Sequence, residues 1–599
     1  MKFAELASAY EKLEGTHKRS EMRAILVDLI RPLRPPELGE VIYLSQGMLR
    51  PEFEGVELGM ADSLARRSVA EGTHTEERRV AEKVKASGDL GTTTSELLSG
   101  RPSSGSGPSL TVSAAYSALT RIAEAKGVGS QEAKIQVLAD LISRATAIEG
   151  KFLVRLVLGT LRVGVREMSI LDALAVAFAD GSKEARAKVE GAFNLSSDLG
   201  LVASVLAEKG LDGLRSVTLE VGRPIRPMLA EREPNLHDVL ERMGGTAALE
   251  YKYDGLRVQA HIPKSGPVRL FSRRLEEISS QFPELVDELP KAVHRTPAII
   301  EGECVPIELD TGEIRPFQEV SRRRGRKYDL ERLQEEVPVC LFTFDVLLSD
   351  GEPVYERPFP ERRALLEKIL RPTERVRVAV QTIVHDEAAA TKFFEEAVAA
   401  GGEGVMAKSL KPGSSYRAGA RGFWWIKYKR EYTAGLADSI DGVVVGGFLG
   451  RGRRAGAYGA FLLAVYDPKR DRFESFCKVG TGFDDALLAE MPKRLHRFET
   501  DEPPPEVDTG LVPDRWMRPG LVLEVRGAEL TLSPIHRAAF GAVRPEAGLA
   551  LRFPRFTGRI RDDRSPTDAT TSKELLELYR SQVRQATPTE PPTEGDTAS

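Results

Sequence analysis

An amine becomes a nucleophile when it is held neutral beside an electrophile, and one lysine of this chain sits in a setting that suits such a use. It lies in Glu250-Tyr251-Lys252-Tyr253-Asp254-Gly255-Leu256-Arg257. If residues 247–253 form a strand, side-chain alternation puts Glu250, Lys252 and Asp254 on one face. A lysine flanked by carboxylates at a strand end and followed by glycine reads in two ways. It is a nucleophile held in a cleft, or it is a solvated strand face closing in an Asp-Gly turn. An ordered set of polar residues follows it. Arg273 ends Phe271-Ser272-Arg273, and Glu301 and Glu303 share a face in Ile300-Glu301-Gly302-Glu303. Phe344-Asp345 interrupts an apolar run, and Glu403-Gly404-Val405-Met406-Ala407-Lys408 comes next. Arg421 and Trp424-Trp425-Ile426-Lys427-Tyr428-Lys429 follow, and far downstream stand Arg552-Phe553-Pro554-Arg555-Phe556, Arg559 and Arg561-Asp562.

The elements that must carry these residues change character along the chain. Up to about residue 225 the apolar spacing is helical, as in Phe3, Leu6, Tyr10 and Leu13, or Ile135, Leu138, Leu141 and Ile142. Ser169 is expected to cap a helix over 170–178. Residues 87–109, rich in Ser, Gly, Thr and Pro, are expected to form an exposed loop or linker. After Gly222-Arg223-Pro224-Ile225-Arg226-Pro227, β-type runs at 247–253, 268–271, 298–305, 337–348 and 404–407 alternate with helical stretches at 361–370 and 386–400. That mixture predicts an α+β domain with a large sheet. Beyond Arg430 the helical period nearly vanishes, and runs at 443–445, 458–465, 473–479 and 521–525 between Gly-rich turns predict a small all-β barrel. Residues 587–599 have hardly an apolar side chain and are expected to be disordered.

A chain of 599 residues is too long for one hydrophobic core. With 85 Lys plus Arg against 89 Asp plus Glu, the net charge of −4 advertises no polyanion partner, so any nucleic-acid surface must be local. Candidate patches are Arg322-Arg323-Arg324-Gly325-Arg326-Lys327, either a solvated loop or a backbone contact, and Arg451-Gly452-Arg453-Arg454. Three dispersed cysteines, Cys304, Cys340 and Cys477, exclude a disulfide scaffold and a cysteine-rich zinc module. The eight histidines show no metal-ligand spacing. The opening residues do not read as a signal peptide and no apolar run reaches spanning length, so a cytoplasmic protein without membrane association is expected.

In order and spacing the motif set resembles the nucleotidyltransferase signature of ATP-dependent DNA ligases, a superfamily shared with RNA ligases and mRNA-capping enzymes. The Lys252 element is similar to the first motif, Phe344-Asp345 to the third, 403–408 to the fourth, 427–429 to the fifth, and 552–562 to the sixth. The resemblance extends from residue 1 to about 575, and Leu161-Arg162-Val163-Gly164-Val165-Arg166 is similar to a segment of the helical DNA-binding domain of the larger ligases. It implies a multidomain fold: an all-α DNA-binding domain over 1–222, an α+β adenylation domain over 223–430 and an all-β OB-fold domain over 431–578, and the polar remainder over 579–599 is expected to be a disordered tail. It implies ATP as substrate, Mg²⁺ as cofactor, nicked duplex DNA as partner and a monomer, and leaves a sliding-clamp partner unspecified.

The resemblance also implies roles. Lys252 would be the nucleophile, Glu250 would contact the adenine edge, and Phe344 would stack on the ring. Arg257, Arg273 and Arg421 would hold ribose or phosphate oxygens, with Lys427 and Lys429 near the α-phosphate. Glu303 would bind the sugar hydroxyl or a metal ion, and Glu403 a metal ion. Arg257, Arg273, Lys427 and Lys429 would together favour a neutral Lys252. Arg555, Arg559 and Arg561 would orient pyrophosphate when the barrel rotates about a hinge near 429–432. Glu301 stays outside this set, and of Trp424 and Trp425 at least one is expected to be buried. An RNA ligase, a capping-type nucleotidyltransferase and an inactive nick-binding protein share parts of the signature. An NAD⁺-dependent ligase is disfavoured, because three isolated cysteines cannot build the four-cysteine zinc module of those enzymes.

Overall fold

The helical spacing of the first third becomes a run of helices, from Phe3–Glu14 to Leu199–Gly213, around one hydrophobic core. In the computed structural model, residues 1–57, 60–100, 109–308, 312–315, 317–321, 323, 330–429, 439–450, 458–527 and 529–584 are described. The helix Phe3–Glu14 has no side-chain cap, yet it buries Phe3, Leu6, Ala7, Tyr10 and Leu13. A missing cap costs about 1 kcal/mol, whereas each large apolar side chain buried contributes about 2 kcal/mol, so packing decides. Among the described residues no helix is long and apolar enough to cross a membrane.

Two local expectations for this region are corrected. Residues 90–99 are not loop: Leu90–Ser99 is a helix, with the Asp89 carboxylate accepting from the Thr92 N–H. Its small residues Gly91, Thr93 and Thr94 are buried beside the helix Ala147–Val157, and Asp89 pairs with the buried Arg155 at 2.8 Å. The Ser, Thr and Gly content that suggested a loop is what allows the close approach. Residues 101–108 lie outside the described residues. Ser169 is not a cap, because the helix Glu167–Phe178 starts before it and both Ser169 and Ile170 donate their N–H to the Arg166 carbonyl.

The chain divides into two compact units: Met1–Glu231 with Tyr253–Gln381 and Lys408–Trp425, and Arg232–Lys252 with Thr382–Ala407 and the chain from Ile426 onward. In the first, a mostly antiparallel sheet runs in the order Arg269–Ser272, Leu256–Ile262, Ala298–Pro306, Val339–Ser349, Glu352–Pro353, and Val376–Val378 pairs in parallel with Val339–Ser349. Val339–Ser349 is buried along nearly its whole length, which gives a continuous apolar run in place of an alternating one. Val258, Leu270, Phe282, Leu285, Ile300, Leu341 and Leu366 share one core.

The second unit contains Ala247–Lys252, which lies between Gly404–Ser409 and Gln381–Val384 in a five-stranded sheet. The helices Leu236–Met243 and Glu387–Ala399 contribute Val239, Leu240, Phe393 and Ala397 to its core beside Leu249, Val405 and Ile426. The same unit holds the barrel region. Ile440–Leu449, Tyr458–Asp467 and Arg472–Val479 form an antiparallel meander. Val522–Arg526 pairs with the first of these and with Arg555–Ile560. Register shifts after Val444, Phe448 and Leu463 curl the sheet. The near-absence of helix expected here is corrected by Asp485–Leu495 and Ser572–Arg584. Leu488, Met491, Leu495 and Leu575 complete the barrel core. The last helix carries the chain past residue 579, where the tail was expected to begin, and 585–599 lie outside the described residues.

Candidate active site

Lys252 ends its strand, and its carbonyl accepts the Glu403 N–H at 2.8 Å. That backbone bond sets the two side chains together: Lys252 Nζ is 2.7 Å from Glu403 Oε2, and Lys429 Nζ is 3.0 Å from the same oxygen. Gly404, at φ +142°, lies so close to the Tyr428 carbonyl that no Cβ fits there, which explains the glycine after Glu403. Burial pushes the Glu403 carboxyl upward, but the two ammonium groups outweigh it and hold it down at about 2. Lys427 lies two residues before Lys429 on Arg421–Lys429 and is half-buried, so alternation puts both on one face. Glu250, two residues before Lys252, is buried. The structure brings the expected acid Glu403 onto Lys252, and that carboxylate is shared with Lys429.

In the first unit, Gly255 packs against the Cys304 carbonyl and Glu303 Cγ with no room for a side chain. This brings the start of Leu256–Ile262 onto Ala298–Pro306 and sets Arg257 opposite half-buried Glu303 in the ladder. The Arg257 side chain takes another partner, Glu301, at 2.7 Å. It also donates to the Met228 carbonyl at 2.8 Å and to the Tyr416 hydroxyl at 3.2 Å. Arg257, Arg273, Gln259, Ser272 and Glu301 line one small cleft. Arg273 and Arg421 are exposed. Glu301 is the residue that the sequence reading left out. Its only signal was sharing a strand face with Glu303, and the burial that distinguishes the two is tertiary.

Phe344 occupies a bulge: Gly302 faces Thr343 while Glu301 faces Asp345, so Phe344 is the extra residue. Such an insertion re-aims a side chain. The ring is half-buried and meets Trp425 edge-on, with centroids 5.9 Å apart. Trp425 is buried and Trp424 partly so, as expected for the pair. Asp345 is fully buried and held by Arg362 through bonds of 2.8 and 3.0 Å.

The barrel arginines separate. Arg555 and Arg559 are exposed, whereas Arg561 binds Asp441 at 2.9 Å and Asp563 at 2.9 and 3.0 Å. The Arg561 guanidinium in turn holds the Asp563 carboxyl at about 2. Of the two basic patches, Arg323 alone is described. It is buried and paired with Glu284, bonded at 2.9 Å through Oε2, so neither a solvated loop nor a backbone contact describes it. Arg322, 324–327, 451–454 and the segment 430–438 that contains the expected hinge lie outside the described residues.

Residues 227–429 match the family described as ATP dependent DNA ligase domain, residues 2–175 the DNA ligase N terminus, and residues 454–564 the ATP dependent DNA ligase C terminal region. The fold is therefore a helical N-terminal region, a central adenylation domain and a β-rich OB-fold domain. The chain is 47% identical to DNA ligase 2 of Thermofilum pendens over 98% of each protein. It is 45% identical to the probable DNA ligase of Aquifex aeolicus, over 97% of this chain and 99% of that one. A solved structure named Pmar-Lig_Pre shares the fold at a TM-score of 0.53 and 18% identity, over 93% of this chain and 99% of that one. The chain belongs to the ATP-dependent DNA ligase family.

Proposed function

We propose that this protein seals nicks in duplex DNA with ATP, using Lys252 as its nucleophile. The observation that carries this reading is the Lys252–Glu403–Lys429 cluster at a strand end, where an amine and a second cation converge on one carboxylate. Lys252 Nζ, after losing a proton, attacks the α-phosphorus of ATP. A phosphorus–nitrogen bond forms, and the bond to the bridging oxygen breaks to release pyrophosphate. A 5′-phosphate oxygen of the nick then attacks the same phosphorus, and the lysine nitrogen leaves and regains a proton. Finally the 3′-hydroxyl attacks the 5′-phosphate, loses its proton and expels AMP.

Each step transfers charge between phosphoryl oxygens. Lys427 and Lys429 offset the charge at the α-phosphate, and Arg257, Arg273 and Arg421 hold ribose or phosphate oxygens through planar forks. Glu250 reads the adenine edge and Phe344 stacks on the ring. Arg555 and Arg559 are the barrel residues suited to orient pyrophosphate. For Arg561 that role requires it first to release Asp441 and Asp563.

Glu403, which stays ionised, and Glu303 are each a carboxylate of the kind that Mg²⁺ takes beside phosphate oxygens and water. When bound it offsets phosphoryl charge. We assign functional domains to 1–222, 223–430 and from 431 through the helix that ends at Arg584, and infer a monomer working in the cytoplasm in replication, repair or recombination, with a sliding clamp one candidate partner. The full chain, incubated with labelled ATP and Mg²⁺, should acquire one AMP on the Lys252 peptide by mass spectrometry and then join a singly nicked DNA duplex. Labelling by GTP alone, or joining of RNA ends but not of nicked DNA, would replace this reading with a capping or RNA-ligase one.

A further inference from the structure

Lys408 ends the fourth motif, and neither the sequence reading nor the proposed mechanism uses it. Its side chain is 1% exposed, an unusual position for an ammonium group. Nζ donates to the Phe344 carbonyl at 2.9 Å. It also lies 4.9 Å from the Phe344 ring centroid, 4.6 Å from that of Phe359 and 4.5 Å from that of Trp425. Three aromatic faces and a carbonyl thus surround one cation, and burial strengthens each of these attractions. Arg257 approaches the same pair of rings, 5.4 Å from Phe344 and 5.5 Å from Trp425.

The place where Lys408 acts gives it a function. Phe344 is the extra residue of a bulge, so the sheet ladder supplies it with no opposing residue to set its orientation. A hydrogen bond to its own carbonyl, together with a cation against its ring, fixes both ends of that residue from Lys408, which a strand of a different sheet carries. Lys408 and Phe359 also meet beside the buried Asp345–Arg362 pair, since Phe359 opens the helix that carries Arg362.

We propose that Lys408 is a positioning residue for nucleobase recognition. It holds the Phe344 bulge and ring in the orientation that stacks on adenine, without touching the nucleotide's phosphates. This rests on the reading that Phe344 stacks on the base. It predicts an effect on ATP affinity and little effect at the phosphate end.

The test uses the full chain and follows lysine–AMP formation against ATP concentration for the parent, F344A, K408M and K408Q, with pyrophosphate inhibition as a probe of the phosphate subsite. K408M should raise the KM for ATP about tenfold, the equivalent of ~1.4 kcal/mol, with kcat and pyrophosphate inhibition each within about threefold. K408Q keeps a donor for the Phe344 carbonyl and should raise KM about threefold. It carries the test alone if K408M fails to fold. F344A should raise KM at least as much as K408M. A raised KM in F344A with an unmoved KM in the Lys408 variants overturns the positioning role. An unmoved KM in F344A overturns the stacking reading itself. Equal losses of KM, kcat and pyrophosphate inhibition in the Lys408 variants would make Lys408 a folding residue and also overturn the proposal.

Discussion

Arg362 and Asp345 are bonded twice, at 2.8 and 3.0 Å, with neither side chain exposed at all. Lys252 and Lys429 come as close to Glu403, at 2.7 and 3.0 Å, yet the side chains of Lys252, Glu403 and Lys429 keep 21%, 15% and 16% exposure. Arg362 also donates to the carbonyls of Arg357 and Ser414, so its donor fork is spent inside the protein. The lysine cluster instead directs two cations at one carboxylate oxygen beside solvent. Two arrays built from the same charge types thus differ in what can exchange. A saturated buried pair holds a helix against a strand, whereas a shared and partly hydrated carboxylate can yield one partner to an incoming anion or cation. Distance alone would have ranked them together. Burial and the use of the remaining donors tell them apart.

The sharpest way to break this distinction is to remove the amine. K252A should lower lysine–AMP formation by more than about 1,000-fold, with nicked-DNA binding retained in a gel-shift assay. Retained sealing of a nick by K252A would move the nucleophile elsewhere. Next in size is the buried pair: R362L leaves Asp345 as an uncompensated buried charge and should cost about 3–5 kcal/mol in urea unfolding. The double variant R362L/D345N should recover part of that loss, and a loss under 1 kcal/mol in the single variant would show the pair to be dispensable.

E403Q sharpens the comparison from the other side. Self-adenylylation should fall about 100-fold and need more Mg²⁺, while the unfolding free energy changes by less than about 1 kcal/mol, as for partly exposed pairs. A stability loss as large as that of R362L would make the two clusters equivalent after all.

The smallest effect concerns a third buried polar group. His261 is fully buried, accepts the Gly222 N–H at 2.9 Å and contacts Gln259, and burial with the nearby Arg269 charge holds it down at about 3. The folded form therefore binds fewer protons than the unfolded chain between about pH 6.5 and 3. Stability from this group is fully present above pH 6.5 and is lost as the pH falls through that window, by about 1.4 kcal/mol at pH 5.5. In H261Q the pH slope of unfolding between pH 7 and 5.5 should flatten by that amount. An unchanged slope would mean that His261 titrates normally.

Three residues of the candidate site could be read from the sequence as one cluster, because they announce themselves by type and order. Lys252, Glu403 and Lys429 were named from motifs, and the structure brings these three together. What was missed shares one physical cause. Arg257 with Glu301, Arg323 with Glu284, Arg561 with Asp441 and Lys408 with Phe344 are partners 44, 39, 120 and 64 positions apart. No local period encodes such a pairing. The helix Leu90–Ser99 was missed for a related reason: small polar residues disfavour an isolated helix but favour close packing against a neighbour.

The sequence by itself determined the kinds of chemistry and the order of helical, mixed and β-rich regions, since periodicity and motif spacing are properties of neighbours along the chain. Only the tertiary structure decided which carboxylate each cation meets and how much water remains there. The folded chain leaves one compact unit for the other at Lys252–Tyr253 and crosses again at Ala407–Lys408 and Trp425–Ile426, each time inside a motif that reads as continuous. Burial and charge pairing depend on segments far apart in the chain, and their energies exist only once those segments have met.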